Sequence, residues 1–243
     1  MKRFLIFLGF VSLIFLSRSP CDSQTIVNGS GIIDKDLREV SNFRKVVVIG
    51  SGFLRITQGE KESLEIKCDK NIFEYIQTVV KNGILEIGPK DVSLRPSRPI
   101  EYTLFLKHLN LLKILGSASV EIDDLEAENF KAILSKSESF SVKKINAQSL
   151  AFEISGSGKV SVGSGTANLQ KISIQGSAKF SAPKLKSEDI EIDIAGSGNA
   201  KIWVTNKLEV KIAGSGQIQY YGSPTVSRDI SAAGKLECLG LKP

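Results

Sequence analysis

The chain has 243 residues, 42% of them hydrophobic and 24% charged, which is long enough for one large domain or two small ones and ordinary for a globular protein. Its formal charge of +6 falls to +4 when three basic residues (Lys2, Arg3, Arg18) and one acidic residue (Asp22) leave with residues 1–23. The remaining lysines are scattered with few aromatics between them, which argues against a nucleic-acid surface.

Lys2 and Arg3 precede the apolar run Phe4 to Leu16, the pattern of a secretory signal peptide, so residues 1–23 are predicted to be removed and the mature chain exported to the periplasm, the outer-membrane surface or the medium. Arg18, Ser19 and Pro20 before Cys21 fit lipoprotein processing poorly, and ordinary cleavage between Cys21 and Gln24 is expected. No later stretch has the roughly 20 consecutive apolar residues of a membrane-spanning helix, so no integral span is expected after signal removal. Residues 24–37 precede any pattern and read as a flexible leader.

From residue 38 to 112 the signals are strand-like but irregular. Val46 to Ile49 runs into Gly50-Ser51-Gly52 and then Phe53 to Ile56, and Ser63 to Lys67 alternates. Asn71 to Val80 is compatible with one short helix, and Asn82-Gly83 predicts a hairpin turn with Ile84 to Ile87 as its second arm. The Pro-rich piece Arg95 to Pro99 reads as an exposed loop, and Tyr102, Leu104 and Leu106 alternate again. His108, the single histidine, sits among Leu106, Leu109 and Leu111 and reads as a structural residue. One histidine with separated cysteines supplies no typical zinc set.

Beyond residue 112 the chain repeats. A leading apolar column, Ile114, Leu134, Ile154, Ile174, Ile194, keeps a spacing of 20, then continues at 18 through Ile212 and Ile230. A trailing column (Val120, Phe140, Val160, Phe180, Ala200, Ile218, Leu236) follows it, and serines from Ser117 to Ser215 stand between the two. Within each unit apolar and polar residues alternate, as in Ile190-Glu191-Ile192-Asp193-Ile194. Repeats of this length stack as a solenoid, and a coil of about 20 residues has room for three short strands and three turns, which predicts an all-β parallel β-helix (β-solenoid) over residues 38–236 with a tail at 237–243. Gly158, Gly198, Gly216 and Gly234 are the expected bend residues, and the stacked serines are expected to exchange hydroxyl hydrogen bonds. Cys68 and Cys238 would then lie several coils apart, too far for a disulfide, and read as two buried thiols.

The chemical motifs are weak. Gly156-Ser157-Gly158-Lys159 resembles a phosphate loop, but Glu153 and Val160 occupy the places of its glycine and hydroxyl residue. Asp123, Asp124 and Glu126, and likewise Glu188, Asp189 and Glu191, offer oxygens for calcium; without a Gly-Gly-x-Gly-x-Asp repeat they read as solvated acidic turns. Lys143, Lys144, Lys171 and Lys201 are not expected to stack with acidic partners at the repeat period, so no charged cluster suggests catalysis. No catalytic, cofactor or metal residue is assigned; Asp123, Asp124, Glu188 and Asp189 are the first to substitute if an enzyme is sought.

The segments Ile154-Ser-Gly-Ser-Gly-Lys-Val160, Ile194-Ala-Gly-Ser-Gly-Asn-Ala200 and Ile212-Ala-Gly-Ser-Gly-Gln-Ile218, with Val46 to Phe53, Asn82 to Ile87, Pro99 to Tyr102 and Tyr221 to Pro224, resemble the "putative auto-transporter adhesin head GIN domain" family, a domain of unknown function. The resemblance implies a right-handed parallel β-helix, exported and commonly placed in bacterial envelopes, acting as an adhesin-type binding module for a glycan or an envelope or surface protein. It brings no catalytic residues. A structural envelope scaffold and a carbohydrate-active enzyme are the alternatives. The sequence departs from the family pattern at Ser135-Lys-Ser-Glu138, which predicts one bulged or more polar corner.

Overall fold

The computed structural model describes residues 25–231 and 233–242. In chain order the strands are β1 (Thr25–Asn28), β2 (Ile33–Arg38), β3 (Lys45–Gln58), β4 (Ser63–Asp69), β5 (Ile76–Lys81), β6 (Ile84–Pro89), β7 (Val92–Arg95) and β8 (Glu101–Leu106). They continue with β9 (Leu111–Leu134), β10 (Ser139–Gly156), β11 (Lys159–Gly176), β12 (Lys179–Gly196), β13 (Asn199–Gly214), β14 (Gln217–Tyr221), β15 (Thr225–Ile230) and β16 (Lys235–Cys238). From β9 onward neighbours pair in parallel and build a β-solenoid of about six turns.

The sequence period is the pairing register. Ile154 faces Ile174 and Ile174 faces Ile194 at the longer spacing, whereas Ile194 faces Ile212 and Ile212 faces Ile230 at the shorter one. The difference is absorbed between β12 and β13, where the register shifts between Ser181 and Asp189 at the corner holding Pro183. Each coil is one long bent strand interrupted at the Gly/Ser corner, not three separate strands, because the ladder to both neighbouring coils runs on through the other bends.

Both apolar columns point inward. Ile114, Leu134, Ile154, Ile174, Ile194 and Ile212 are buried, as are Val120, Phe140, Val160, Phe180, Ala200 and Ile218. Phe152 joins Phe130, Phe140 and Phe180 in an aromatic stack along the axis, with centroids 6.5, 6.2 and 5.1 Å from it. Ile230 and Leu236 in the last coil are only partly buried, since no further described coil covers them.

At the corners the positive φ falls on the first glycine, not on Gly158, Gly198, Gly216 or Gly234. Gly156, Gly176, Gly196 and Gly214 have φ of 114°, 123°, 130° and 135°. A Cβ on Gly176 would stand 2.5 Å from the carbonyl oxygen of Gly156 one coil below, so both backbone conformation and space require glycine there. Gly158, Gly198 and Gly216 instead face the core, in the place where other coils hold Ala118, Glu138 and Ala178. The serines do not form a hydroxyl ladder. Coil-to-coil bonds are made by the backbone, Ser177 N–H donating to Gly156 O at 2.9 Å and Ser197 N–H to Gly176 O at 2.9 Å, while the side chains of Ser157, Ser177 and Ser197 are exposed.

The irregular first third caps the stack. β3 pairs with β9 on one side (Val48 with Ile114) and with β6 and β8 on the other, so residues 59–110 fold back under the first coil before the chain resumes above it. β4 pairs antiparallel with β8, and β2 antiparallel with β4, extending this end. The hairpin β5–β6 turns at Asn82 and Gly83, both at positive φ, as their sequence predicts. The expected helix is shorter than foreseen: a 3₁₀ segment, Lys70–Tyr75, precedes β5, whose alternation won over helical periodicity. The expected flexible leader, residues 24–37, contains β1, paired with β7, and all but the last residue of β2, paired with β4. Asp69 ties them down: it is fully buried and accepts hydrogen bonds from Gly31 N–H (2.7 Å), Ser97 N–H (2.8 Å) and Ser97 Oγ (2.7 Å). β16 likewise takes in part of the expected tail. The signal-peptide segment, including Cys21, lies outside the described residues.

Candidate binding surfaces

Because alternate residues of each coil point outward, the solenoid presents columns of side chains that cross the coils about 4.8 Å apart. On the strand segment before the Gly/Ser corner, an open trough of about 660 Å³ runs across β9 to β15. Its lining carries both signs of charge: Lys131 pairs with Glu153 at 2.6 Å and Lys171 with Glu191 at 2.7 Å, while Asp193, Lys211, Arg228 and Asp229 join no ion pair among the described residues. The small residues Ala151, Ser173 and Ser227 also line it.

The lysines expected to be unmatched are thus partly matched. Lys171 meets Glu191 one coil ahead, and Lys143 meets Asp123 one coil behind. The Lys143 ammonium, bonded directly to it, is the main cause holding the Asp123 carboxyl below its usual range; Thr57 Oγ1 adds a bond at 3.1 Å. Glu126 accepts from Asn146 Nδ2 at 2.6 Å and Asp189 from Asn206 Nδ2 at 2.7 Å, while Asp124 and Glu188 are exposed. The two acidic clusters lie on different coils, β9 and β12, and do not converge. Among the described residues no group of three His, Cys, Asp or Glu is placed to hold a metal ion.

His108 is exposed, not buried among leucines. It lines a hollow of about 480 Å³ with Arg44, Lys45, Glu62 and Lys107, and no serine or cysteine is in that lining. Cys68 is buried and its thiol is pushed up to about 11, by burial first and by the Asp69 charge second. Cys238 is exposed, which corrects its expected burial; both are free. The sequence missed these because neither residue type shows in its neighbours which side of a capping element it will face.

After the corner the outer face differs. Lys159 registers with Lys179, Ser141 with Ser161, Ser161 with Ser181, and Ser181 with Lys201. Asn199 and Lys201 then register with Gln217 and Gln219. A hollow of about 270 Å³ lies over this patch. At its edge Trp203 registers with Tyr221, and the ammonium groups of Lys201 and Lys242 stand 5.4 and 4.3 Å from the Tyr221 ring centroid.

These features define an all-β solenoid whose recognisable surfaces are shallow outer faces. The sequence matches, over residues 42–224, the family described as "putative auto-transporter adhesin, head GIN domain", and the chain belongs to that family. The fold is shared with crystal structures described as putative adhesins from Bacteroides fragilis (24% identity, TM-score 0.83, 88% of this chain and 100% of that one) and Parabacteroides merdae (21%, 0.73, 88% and 99%). It is also shared with one described as a putative lipid binding protein from Parabacteroides distasonis (23%, 0.73, 88% and 100%). No curated protein matches the sequence. No helix among the described residues is long and apolar enough to cross a membrane.

Proposed function

We propose that the chain is an exported, non-catalytic recognition module of the bacterial envelope, binding a glycan or a surface protein through the outer faces of its coils. The observation that carries this reading is the open trough across β9 to β15, lined by carboxylates and cations spread over successive coils, two lysines among them joined to glutamates as coil-to-coil pairs, with no histidine or cysteine in its lining. General acid–base catalysis needs titratable groups pushed toward the working pH, and binding across many shallow polar contacts does not. The family and the solved relatives described as adhesins support the same direction. The basic, apolar start of the sequence supports export. The test is retention of the purified chain on immobilised glycans and on outer-membrane proteins. Saturable binding with the ligand recovered intact is the expected result; cleavage of the ligand would refute it.

A further inference from the structure

Four lysines of the solenoid are neutralised, Lys131 by Glu153, Lys171 by Glu191, Lys143 by Asp123 and Lys207 by Glu209, whereas Lys113, Lys144, Lys186 and Lys211 stand singly outside the ion pairs of the described residues. Lys159, Lys179 and Lys201, on the face after the corner, belong to none of the ion pairs among the described residues. Carboxylates farther along that face are engaged, Glu121 with Arg55 at 3.3 Å and Glu237 with Gln219 Nε2 at 2.8 Å. Lys159 and Lys179 are moreover direct register partners, and like charges placed opposite each other across strands are destabilising. A coil that can set Glu against Lys one step away, as the other face does, has no folding reason to stack lysines here.

We propose that this face of β11 to β14 binds a linear, carboxylate-bearing polysaccharide lying along the solenoid axis, an inference that rests on the recognition reading above. Lys159, Lys179 and Lys201 supply the counter-charge. Ser161 and Ser181, outward in the Lys201 column, supply hydroxyl groups suited to sugar hydroxyls and ring oxygens, and Gln219, whose Nε2 is held by Glu237, offers its Oε1 as an acceptor. The coil rise of about 4.8 Å is close to the length of one pyranose residue, so one uronate can meet one coil without bending. A single-stranded nucleic acid fits less well, because its bases need open aromatic faces, and lysines stand over Tyr221.

The test compares hexagalacturonate, neutral cellohexaose and single-stranded DNA as ligands for the purified chain, by calorimetry at two salt concentrations. The variants are Lys159→Ser/Lys179→Ser/Lys201→Gln and, as a control with equal charge loss on the amino-terminal cap, away from both faces, Lys35→Ser/Lys67→Ser/Lys70→Ser. Hexagalacturonate is expected to bind more tightly than cellohexaose, to weaken with salt, and to lose about tenfold in affinity in the first variant, with less than about a twofold change in the control. Melting of the first variant should match or exceed wild type, since it removes a like-charge stack. No binding of hexagalacturonate, equal loss in both variants, or tighter binding of DNA through the same lysines would overturn the proposal. Binding of cellohexaose that ignores these lysines would overturn it while leaving the recognition module intact.

Discussion

Phe152→Ala removes the most connected side chain of the aromatic stack. Phe152 is fully buried and lies 6.5, 6.2 and 5.1 Å, centroid to centroid, from Phe130, Phe140 and Phe180, so its loss opens a cavity bounded by coils on both sides. Phe→Ala at such a site costs about 3 to 5 kcal/mol, a large share of the roughly 5 to 15 kcal/mol that holds a domain together. Because each coil touches only its neighbours, the damage weakens the link between the amino-terminal cap with β3 and β9 and the coils from β12 onward. The chain's one tryptophan, Trp203, lies in β13 and reports the second part, whereas far-UV circular dichroism reports both. In a urea titration the variant should unfold at a lower midpoint, and its Trp203 fluorescence transition should separate from the dichroism transition. The same truncation at half-buried Ile230, in the last coil, should only fray that end. A Phe152→Ala loss below about 0.5 kcal/mol, within the range of ordinary surface substitutions, would refute this packing.

Glu138→Ala should raise the melting temperature, by about 1 kcal/mol of stability: the residue is 1% exposed, Oε1 has no partner, and Ala118 and Ala178 occupy the same place in other coils. The one bond lost, from Lys136 N–H to Oε2 at 2.7 Å, leaves a donor on an exposed residue that water can reach. Asp69 makes the amino-terminal cap acid-sensitive. Burial alone would raise its carboxyl, but the bonds from Ser97 and Gly31 outweigh that and hold it below the usual range. The folded value lies below the unfolded one, near 3.9, so the stabilisation is complete above that pH and lost as pH falls through the folded value. The stability gap between wild type and Asp69→Asn should therefore shrink between pH 5 and pH 2, measured by chemical denaturation. Iodoacetamide at pH 8 should label Cys238 and spare Cys68 in peptide mapping, given exposure of the first and the raised, buried thiol of the second. Arg228 registers with Val210 in the inward column, facing the open side of β15, so Arg228→Val should produce concentration-dependent association by light scattering, whereas wild type stays dispersed.

The solenoid was legible because its cause is local: an apolar residue at every second position and one Gly/Ser corner per repeat state both the buried face and the register. The folding-back of residues 59–110 was not, since β3 meets β9 across that whole intervening segment with only one copy of the motif to announce it. Which glycine of each corner needs positive φ depends on the carbonyl of the coil below, so Gly156 and Gly158 look alike until the coils are stacked. The neutralised lysines were only partly hidden: Lys171 with Glu191 and Lys143 with Asp123 stand in the sequence at the 20-residue period and could have been read there, whereas Lys131 registers with Ala151 and reaches Glu153 diagonally, a contact that a strict column misses. Lys159 and Lys179 stand in the sequence at the coil period, but their significance appears only beside the paired face.

The most direct measurement is to pass a glycan array and purified outer-membrane proteins over the immobilised chain, recording both binding and ligand integrity. The account predicts saturable binding of at least one ligand, released unchanged on washing with salt. Ligand cleavage, or no saturable binding to either class, would contradict it.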